Sequence, residues 1–151
     1  MSEMSRKEAR RNLFGILFEA EFKGDESPEI IYASALEQRE MPEDEYMKNA
    51  FFGICEKSSE LDKIISKYAK GWKADRLSKV SRTVIRLSVY EILYADIPAN
   101  VSVSEAVDIS KKYGEEKSRA FVNGVLSSIV KDIESLGKEA LISMGTAADD
   151  E

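Results

Sequence analysis

Apolar residues along this chain recur every three to four positions, which is the spacing of one face of an α-helix. No window alternates with the period of two that a half-buried β-strand requires. The first stretch, residues 5–22, places its apolar positions on one arc, at Ala9, Leu13, Ile16, Leu17 and Ala20. The pattern therefore predicts an all-α protein whose first helix covers these residues.

Turn and cap residues mark where the next helices begin. Ser27-Pro28 is typical of an N-cap followed by proline at the first helical position, which predicts a helix to about Glu40. A longer helix opens at Met41-Pro42-Glu43-Asp44 and is predicted to close at Gly71. The next helix contains Val84 to Leu93, which is apolar almost all round, so we expect it to be the central one.

Asp96-Ile97-Pro98 ends the central helix, and two further helices follow. Ser102-Val103-Ser104-Glu105 fits a capping box, in which the Ser oxygen and the Glu carboxylate satisfy free amides at a helix start. That helix is predicted to stop at Gly114, and the last one to run from near Glu115 to about Leu136.

Residues 138–151 lack a sustained apolar face and end in Asp149-Asp150-Glu151, so we expect a frayed acidic tail. The remaining residues, 1–137, are predicted to form one domain. It would be a compact bundle of about seven helices, divided near Gly71 into helical subdomains at 1–71 and 72–137.

The composition argues against catalysis. The 151 residues include no histidine and a single cysteine, Cys55, so the commonest general base is missing and no Cys-His pair or thiolate metal cluster can form. We therefore expect no enzymatic activity, no catalytic residue, no cofactor and no metal. No apolar run approaches the roughly 20 residues of a membrane span, and the first residues do not have the pattern of a secretory signal. One cysteine fits a reducing compartment, so we expect a cytoplasmic protein.

The net charge of −6 conceals two basic patches. Residues 5–13 carry Arg6, Lys7, Arg10 and Arg11 against a single Glu8, and residues 70–86 carry six positive charges against one negative. In the first patch the cations are followed along one helix line by aromatic residues, at Phe14, Phe18 and Phe22. Cations bind phosphates and aromatic rings stack on unpaired bases, so this pattern suits single-stranded RNA. The alternative, favoured for the Phe line, is that the rings belong to the core, and the cations could equally be a solvated helix end.

Other features leave similar alternatives open. The second patch is favoured as a solvated face, although it could meet phosphates or an acidic protein. Arg86 lies within the apolar helix, where it could pair with a carboxylate such as Glu91 or Glu105. Tyr113 and Phe121 flank a helix–helix junction, where they could stack on bases or serve as a helix-end anchor and a core residue. Asn123 and Gly124 lie inside an apolar helix at a cost in stability. We expect Gly124 to allow a close helix crossing and Asn123 to cap or bridge a neighbouring helix.

Four blocks in order resemble the NusB family of transcription antitermination factors, over about Arg6 to Ile133. They are the arginine-rich first helix with Ala9-Arg10, the segment from Arg76-Leu77 to Tyr90-Glu91, the segment from Ile97-Pro98 to Glu105-Ala106-Val107, and Tyr113-Gly114 with Phe121-Val122-Asn123-Gly124-Val125-Leu126. Ser104 and Ser127 depart from the Asn and Asp that are usual in the family, and Ser81-Arg82 replaces a more acidic pairing.

The resemblance implies an all-helical fold of two subdomains and binding of the single-stranded boxA element of nascent ribosomal RNA. The implied partner is NusE, a small-subunit ribosomal protein, with other Nus factors and RNA polymerase engaged indirectly. The RNA-binding residues it implies are Arg6, Lys7, Arg10, Arg11, Tyr113, Lys117 and Phe121. The NusE surface it implies lies at Arg76, Lys79, Ser81 and Arg82.

The rival interpretation is a helical protein-interaction module, with self-association into a homodimer as one form of it. A DNA-binding helix-turn-helix around residues 75–95 is disfavoured, because its second helix is too apolar to lie in a groove.

Overall fold

The structure, a computed structural model, describes residues 4–70 and 77–147. Within these two ranges the chain forms seven α-helices and no strand, which confirms the predicted all-α class. The helices are α1 (Arg6–Ala20), α2 (Pro28–Arg39), α3 (Glu45–Tyr68), α4 (Lys79–Tyr94), α5 (Ala99–Tyr113), α6 (Glu116–Leu136) and α7 (Lys138–Thr146). The described helices all lack the combination of length and apolarity that crossing a membrane requires.

Side-chain caps fix the starts of four helices. Ser5, Ser27, Asp44 and Ser78 each accept a hydrogen bond from the backbone amide three residues later, at the starts of α1 to α4. Each such bond satisfies an amide that has no partner within its own helix. The predicted start of α2 at Ser27-Pro28 is therefore confirmed, and α3 begins directly after the predicted Met41-to-Asp44 opening.

The predicted central helix is confirmed, since α4 packs against α1, α3, α5 and α6. Val84, Ile85, Leu87 and Val89 are all buried, so side chains on successive faces of α4 enter the core. Gly53 of α3 permits one close approach, because a Cβ there would fall 2.7 Å from Cε1 of Tyr90. The consecutive helices α3 and α4 therefore pack closely at this point.

Two sequence predictions are wrong at helix boundaries. The helix α5 begins at Ala99, directly after Pro98, so Ser102 lies within its first turn rather than at its N-cap. The Ser102 hydroxyl donates a hydrogen bond to Oε1 of Glu91 at 2.8 Å. The capping box therefore does not form, because the hydroxyl has a partner in α4 and proline can begin the helix.

The segment predicted to fray is helical over Lys138–Thr146. Leu141 is fully buried, and Ala140, Ile142 and Met144 pack against the core beside α3. Gly145 lets α7 approach closely, since a Cβ there would fall 2.7 Å from the Glu60 carbonyl oxygen. Packing against α3 gives this short helix the stability that its own sequence lacks.

Several predictions fall outside the described residues. These are the helix end and subdomain boundary at Gly71, the partner residue Arg76 and the acidic Asp149-Asp150-Glu151 end. The division into two helical subdomains stays a prediction.

Candidate nucleic-acid interface

The basic residues of α1 divide into buried and accessible ones. Arg6 and Lys7 are exposed and Arg11 is half-buried, whereas Arg10 is only 3% exposed. Helical periodicity explains the division, since Arg10 lies on the same face as Leu13, Phe14 and Leu17, which enter the core. The prediction that Arg10 contacts RNA is therefore corrected, because its side chain is buried and its role is structural.

A carboxylate in the apolar α4 neutralises Arg10. Its Nε donates to Oε2 of Glu91 at 2.8 Å, and Glu91 is fully buried. Glu91 also accepts hydrogen bonds from the hydroxyls of Tyr46 and Ser102. Burial alone would lower the Arg10 pKa, but Glu91 and the nearby Tyr46 and Glu105 outweigh it and raise that pKa above its usual value. Arg10 therefore stays charged and fixes α1 to α4.

Sequence reasoning did not identify this arrangement, although one signal pointed to it. A lone carboxylate within an otherwise apolar helix must be paired if it is buried, so Glu91 required a cation or hydroxyls from another element. The pattern did not specify which element would supply them, because Arg10 is 81 residues away along the chain.

The remaining α1 cations differ in their partners. Lys7 Nζ lies 3.6 Å from Oε2 of Glu105 in α5. The Arg6 guanidinium lies 4.2 Å from the centroid of the Tyr46 ring. Arg11 pairs with no carboxylate within the described ranges, and its Nε is buried without a hydrogen-bond partner. No described carboxylate pairs with Arg6 or Arg11, so both cations are available to bind an anion.

An aromatic row runs beside these cations and is defined by Tyr113, Phe14, Phe18 and Phe22. Neighbouring ring centroids in the row are 5.5, 5.9 and 5.3 Å apart. Phe14 is 4% exposed, whereas Tyr113 and Phe22 at the two ends are 51% and 62% exposed. The core interpretation is thus confirmed for Phe14, and the ends of the row are accessible rings.

Lys117 and Phe121 lie on α6, in the helix that follows Tyr113 and Gly114. Lys117 is exposed, and Phe121 is half-buried against the core. Phe121 also lines an open groove with Tyr68, Lys70 and Gly124. Sequence reasoning did not identify Tyr68 and Lys70 as neighbours of Phe121, because they come from the far end of α3.

Gly124 does not have the predicted packing role. A Cβ added to it would meet no atom of the described residues within 4 Å, and Asn123 beside it is exposed. The close helix crossing expected at Gly124 is therefore wrong, since this side of α6 faces the groove rather than a neighbouring helix.

The predicted partner surface is only partly on the outside of the protein. Lys79 is exposed and its Nζ lies 5.4 Å from the centroid of Phe22. Ser81 is 4% exposed, because its amide is held by the Ser78 cap and its side chain faces inward. Arg82 is half-buried and pairs with Glu21. The expectation that Ser81 presents a side chain to a partner is therefore corrected.

Arg86, at the end of the second basic patch, is also paired. It forms a two-bond contact with Asp62 at 2.7 and 2.6 Å and a third bond to Glu21 at 3.0 Å. The second patch is therefore not the solvated face expected for it at Arg82. The pairing expected of Arg86 is present, but its partners are Asp62 and Glu21 rather than Glu91 or Glu105.

Comparison with known proteins agrees with this geometry. Residues 7–131 match the model of the NusB family. The transcription antitermination protein NusB of Bacillus velezensis is 40% identical over 133 residues, which cover 87% of this chain and 100% of that protein.

Two solved structures share the fold. The structure of T. maritima NusB has a TM-score of 0.79 and 38% identity, covering 87% of this chain and 94% of that one. A crystal structure of the antitermination factors NusB and NusE in complex with dsRNA has a TM-score of 0.75 and 33% identity, covering 83% of this chain and 96% of that one. This chain therefore belongs to the NusB family.

Proposed function

We propose that this protein is a transcription antitermination factor that binds the boxA element of nascent ribosomal RNA together with NusE. It would help to assemble an antitermination complex on RNA polymerase, with other Nus factors joining indirectly, and would act by binding rather than by catalysis. The family membership supports the proposal, as does the similarity to a structure that contains NusB, NusE and RNA.

One observation carries the RNA part of the proposal. Arg11, which no described carboxylate neutralises, lies one helical turn before Phe14, and the exposed ring of Tyr113 stacks on Phe14. A cation for a phosphate therefore lies one turn from Phe14, and Tyr113 beside Phe14 offers an accessible ring whose centroid lies 5.3 Å from Nζ of the exposed Lys112. Unpaired nucleotides need this combination, and base–aromatic stacking contributes about 1–3 kcal/mol per base.

The proposed RNA surface consists of accessible cations of α1 and α6 together with accessible aromatic rings. Arg6, Lys7 and Arg11 would contact phosphates, and Tyr113 would stack on a base. Lys117 and the groove at Phe121 would extend the surface along α6, where Tyr68 and Lys70 line the same groove. Arg10 supports the surface from inside and does not touch RNA.

The proposed NusE surface is centred on Lys79 and Phe22. Phe22 is an exposed aromatic ring beside an exposed cation, which is typical of a residue that a partner covers. Arg82 would support this surface through its pairing with Glu21. Arg76, which lies outside the described residues, stays a predicted contact.

Fluorescence anisotropy with labelled RNA tests the proposal. The arms are single-stranded boxA, a scrambled single strand and a boxA duplex, each with and without NusE. We expect preference for single-stranded boxA and tighter binding with NusE. With about three phosphates neutralised, the logarithm of the binding constant should fall against the logarithm of salt concentration with a slope near −2. Equal binding to all three RNAs, unchanged by NusE, would contradict the proposal.

Substitutions locate the surface. Arg11→Ala should weaken RNA binding and reduce the salt slope by about 0.7, while leaving the melting temperature unchanged. Lys138→Ala is the matched control, because Lys138 is a surface cation of α7 that pairs with Asp96. If the Arg11→Ala variant binds RNA with unchanged affinity, Arg11 is not part of the proposed RNA surface.

A second candidate function rests on the exposure of Phe22. The protein would then be a helical protein-interaction module, and a second copy of the chain could cover this ring as a homodimer. Light scattering over a range of protein concentrations distinguishes the two, since concentration-dependent dimerisation that Phe22→Ser abolishes is expected only of the module.

A further inference from the structure

The exposed guanidinium of Arg6 has an unusual neighbour for a proposed phosphate contact. It lies 4.2 Å from the ring centroid of Tyr46, within the range of a cation–π interaction. Tyr46 comes from the first turn of α3, two residues after the cap residue Asp44. The contact therefore connects the start of α1 to the start of α3.

The Tyr46 ring is itself fixed in place. Its hydroxyl donates to the buried Glu91 carboxylate, which also accepts from Arg10 and Ser102. Ser102 continues the network to Ser88, with 2.8 Å between the two hydroxyl oxygens. Arg6 therefore rests on a ring whose far end is anchored in the core, rather than on a mobile surface side chain.

Without the ring, Arg6 would have competing partners. Arg6, Glu43, Glu45 and Tyr46 line one open depression on the surface. Neither glutamate forms an ion pair with Arg6 within the described ranges; Glu43 pairs with Lys48 at 3.2 Å instead. Loss of the aromatic face would free the guanidinium to turn towards these carboxylates, which would compete with an RNA phosphate.

We propose that Tyr46 is a positioning residue for RNA binding, whose core-anchored ring holds the Arg6 guanidinium in the orientation that meets a phosphate and away from the carboxylates of Glu43 and Glu45. The inference rests on the proposed function. Its physical basis is pre-organisation, since a long side chain that is already ordered loses less conformational freedom when RNA binds.

A double-mutant cycle in the full-length chain tests the inference, with single-stranded boxA RNA as the probe. In the unaltered background, Tyr46→Leu should weaken RNA binding by about two- to fivefold, the range of an exposed cation–π interaction. In an Arg6→Ala background, the same change should weaken binding by less than about 1.5-fold, since the interacting cation is already absent. Equal losses in the two backgrounds would overturn the inference.

Two controls separate positioning from stability. Tyr46→Phe keeps the ring but loses the bond to Glu91, so it should lower the melting temperature and weaken RNA binding less than Tyr46→Leu does. Tyr94→Leu removes a comparable contact, with Lys57 Nζ 4.8 Å from the Tyr94 ring, and should not change RNA affinity. If RNA affinity follows the melting temperature across all three variants, Tyr46 has only a structural role.

A measurement on the unaltered protein covers the case in which Tyr46→Leu does not fold. In the absence of RNA, the NMR order parameter of the Arg6 Nε–H group should lie above about 0.6, outside the flexible range. A lower value would overturn the inference and leave the proposed function standing. If the unaltered protein does not bind boxA RNA, the proposed function fails and the inference fails with it.

Discussion

Arg10 Nε lies 2.8 Å from Glu91 Oε2, so a cation of α1 and a carboxylate of α4 neutralise each other in the interior. Replacing Arg10 leaves the buried Glu91 charge with hydroxyl partners alone, and replacing Glu91 leaves Arg10 with the more distant Glu105 at 3.8 Å. Breaking a buried pair in this way costs about 3–5 kcal/mol. We therefore expect Arg10→Met and Glu91→Leu each to lower the free energy of unfolding by that amount. The double variant should lose much less than the sum of the two, as measured by urea denaturation. Additive losses would show that the pair contributes no coupling.

Gly53 is predicted to be intolerant of a methyl group. In Gly53→Ala the new Cβ would overlap the Tyr90 ring, with 2.7 Å to Cε1, and either the ring or α3 must shift. Overpacking of this kind typically costs about 1–3 kcal/mol. Chemical denaturation should show this loss, and adding Tyr90→Leu should recover part of it. A Gly53→Ala variant as stable as the unaltered protein would contradict the close approach.

Gly124→Ala should have the opposite effect on stability. Gly124 lies within α6 and a Cβ there meets none of the described residues, so the change should stabilise the fold by about 0.5–1 kcal/mol, which is the difference in helix propensity. Because Gly124 lines the groove beside Phe121, we also expect weaker binding of boxA RNA. Thermal melting and anisotropy on the same samples check the two effects. A rise in stability with unchanged RNA affinity would remove the groove from the proposed surface.

Alkaline pH should destabilise the protein partly through Tyr68. Burial raises the pKa of Tyr68 to about 12, helped by the 2.8 Å hydrogen bond from its hydroxyl to Asp132. Since the folded pKa exceeds the unfolded value of about 10, this stabilisation is complete below pH 10 and is lost as pH rises through 12. Tyr68→Phe should therefore make the urea midpoint fall less steeply with pH between about 10 and 12. If the urea midpoint of Tyr68→Phe depends on pH as that of the unaltered protein does, groups other than Tyr68 cause the loss of stability.

Local signals predicted much of the fold from the sequence. Ser27-Pro28 marked the start of α2 because proline and the Ser cap act within one turn, and the apolar run in α4 marked the central helix for a similar reason. The start of α5 was mispredicted because the Ser102 hydroxyl bonds to Glu91 of another helix. The helix α7 was missed because its stability comes from contact with α3 rather than from its own short sequence.

The candidate site shows the same limit. The sequence identified the α1 cations but could not tell Arg10, whose charge is neutralised internally, from Arg6 and Arg11. That distinction depends on Glu91 and Tyr46, which lie 81 and 36 positions further along the chain than Arg10. Long-range pairing of this kind leaves no periodic trace in the sequence.

The aromatic row has a consequence for how two partners would communicate. Its Tyr113 end lies beside the proposed RNA cations, and its Phe22 end lies beside Lys79 on the proposed NusE surface. The helix α1 carries Phe14, on which Tyr113 stacks, and it ends at Ala20, two residues before Phe22. If either partner restrains this shared helix, it lowers the entropic cost of binding the other, and the two affinities must rise by the same factor. Cooperative assembly would then require no change of shape.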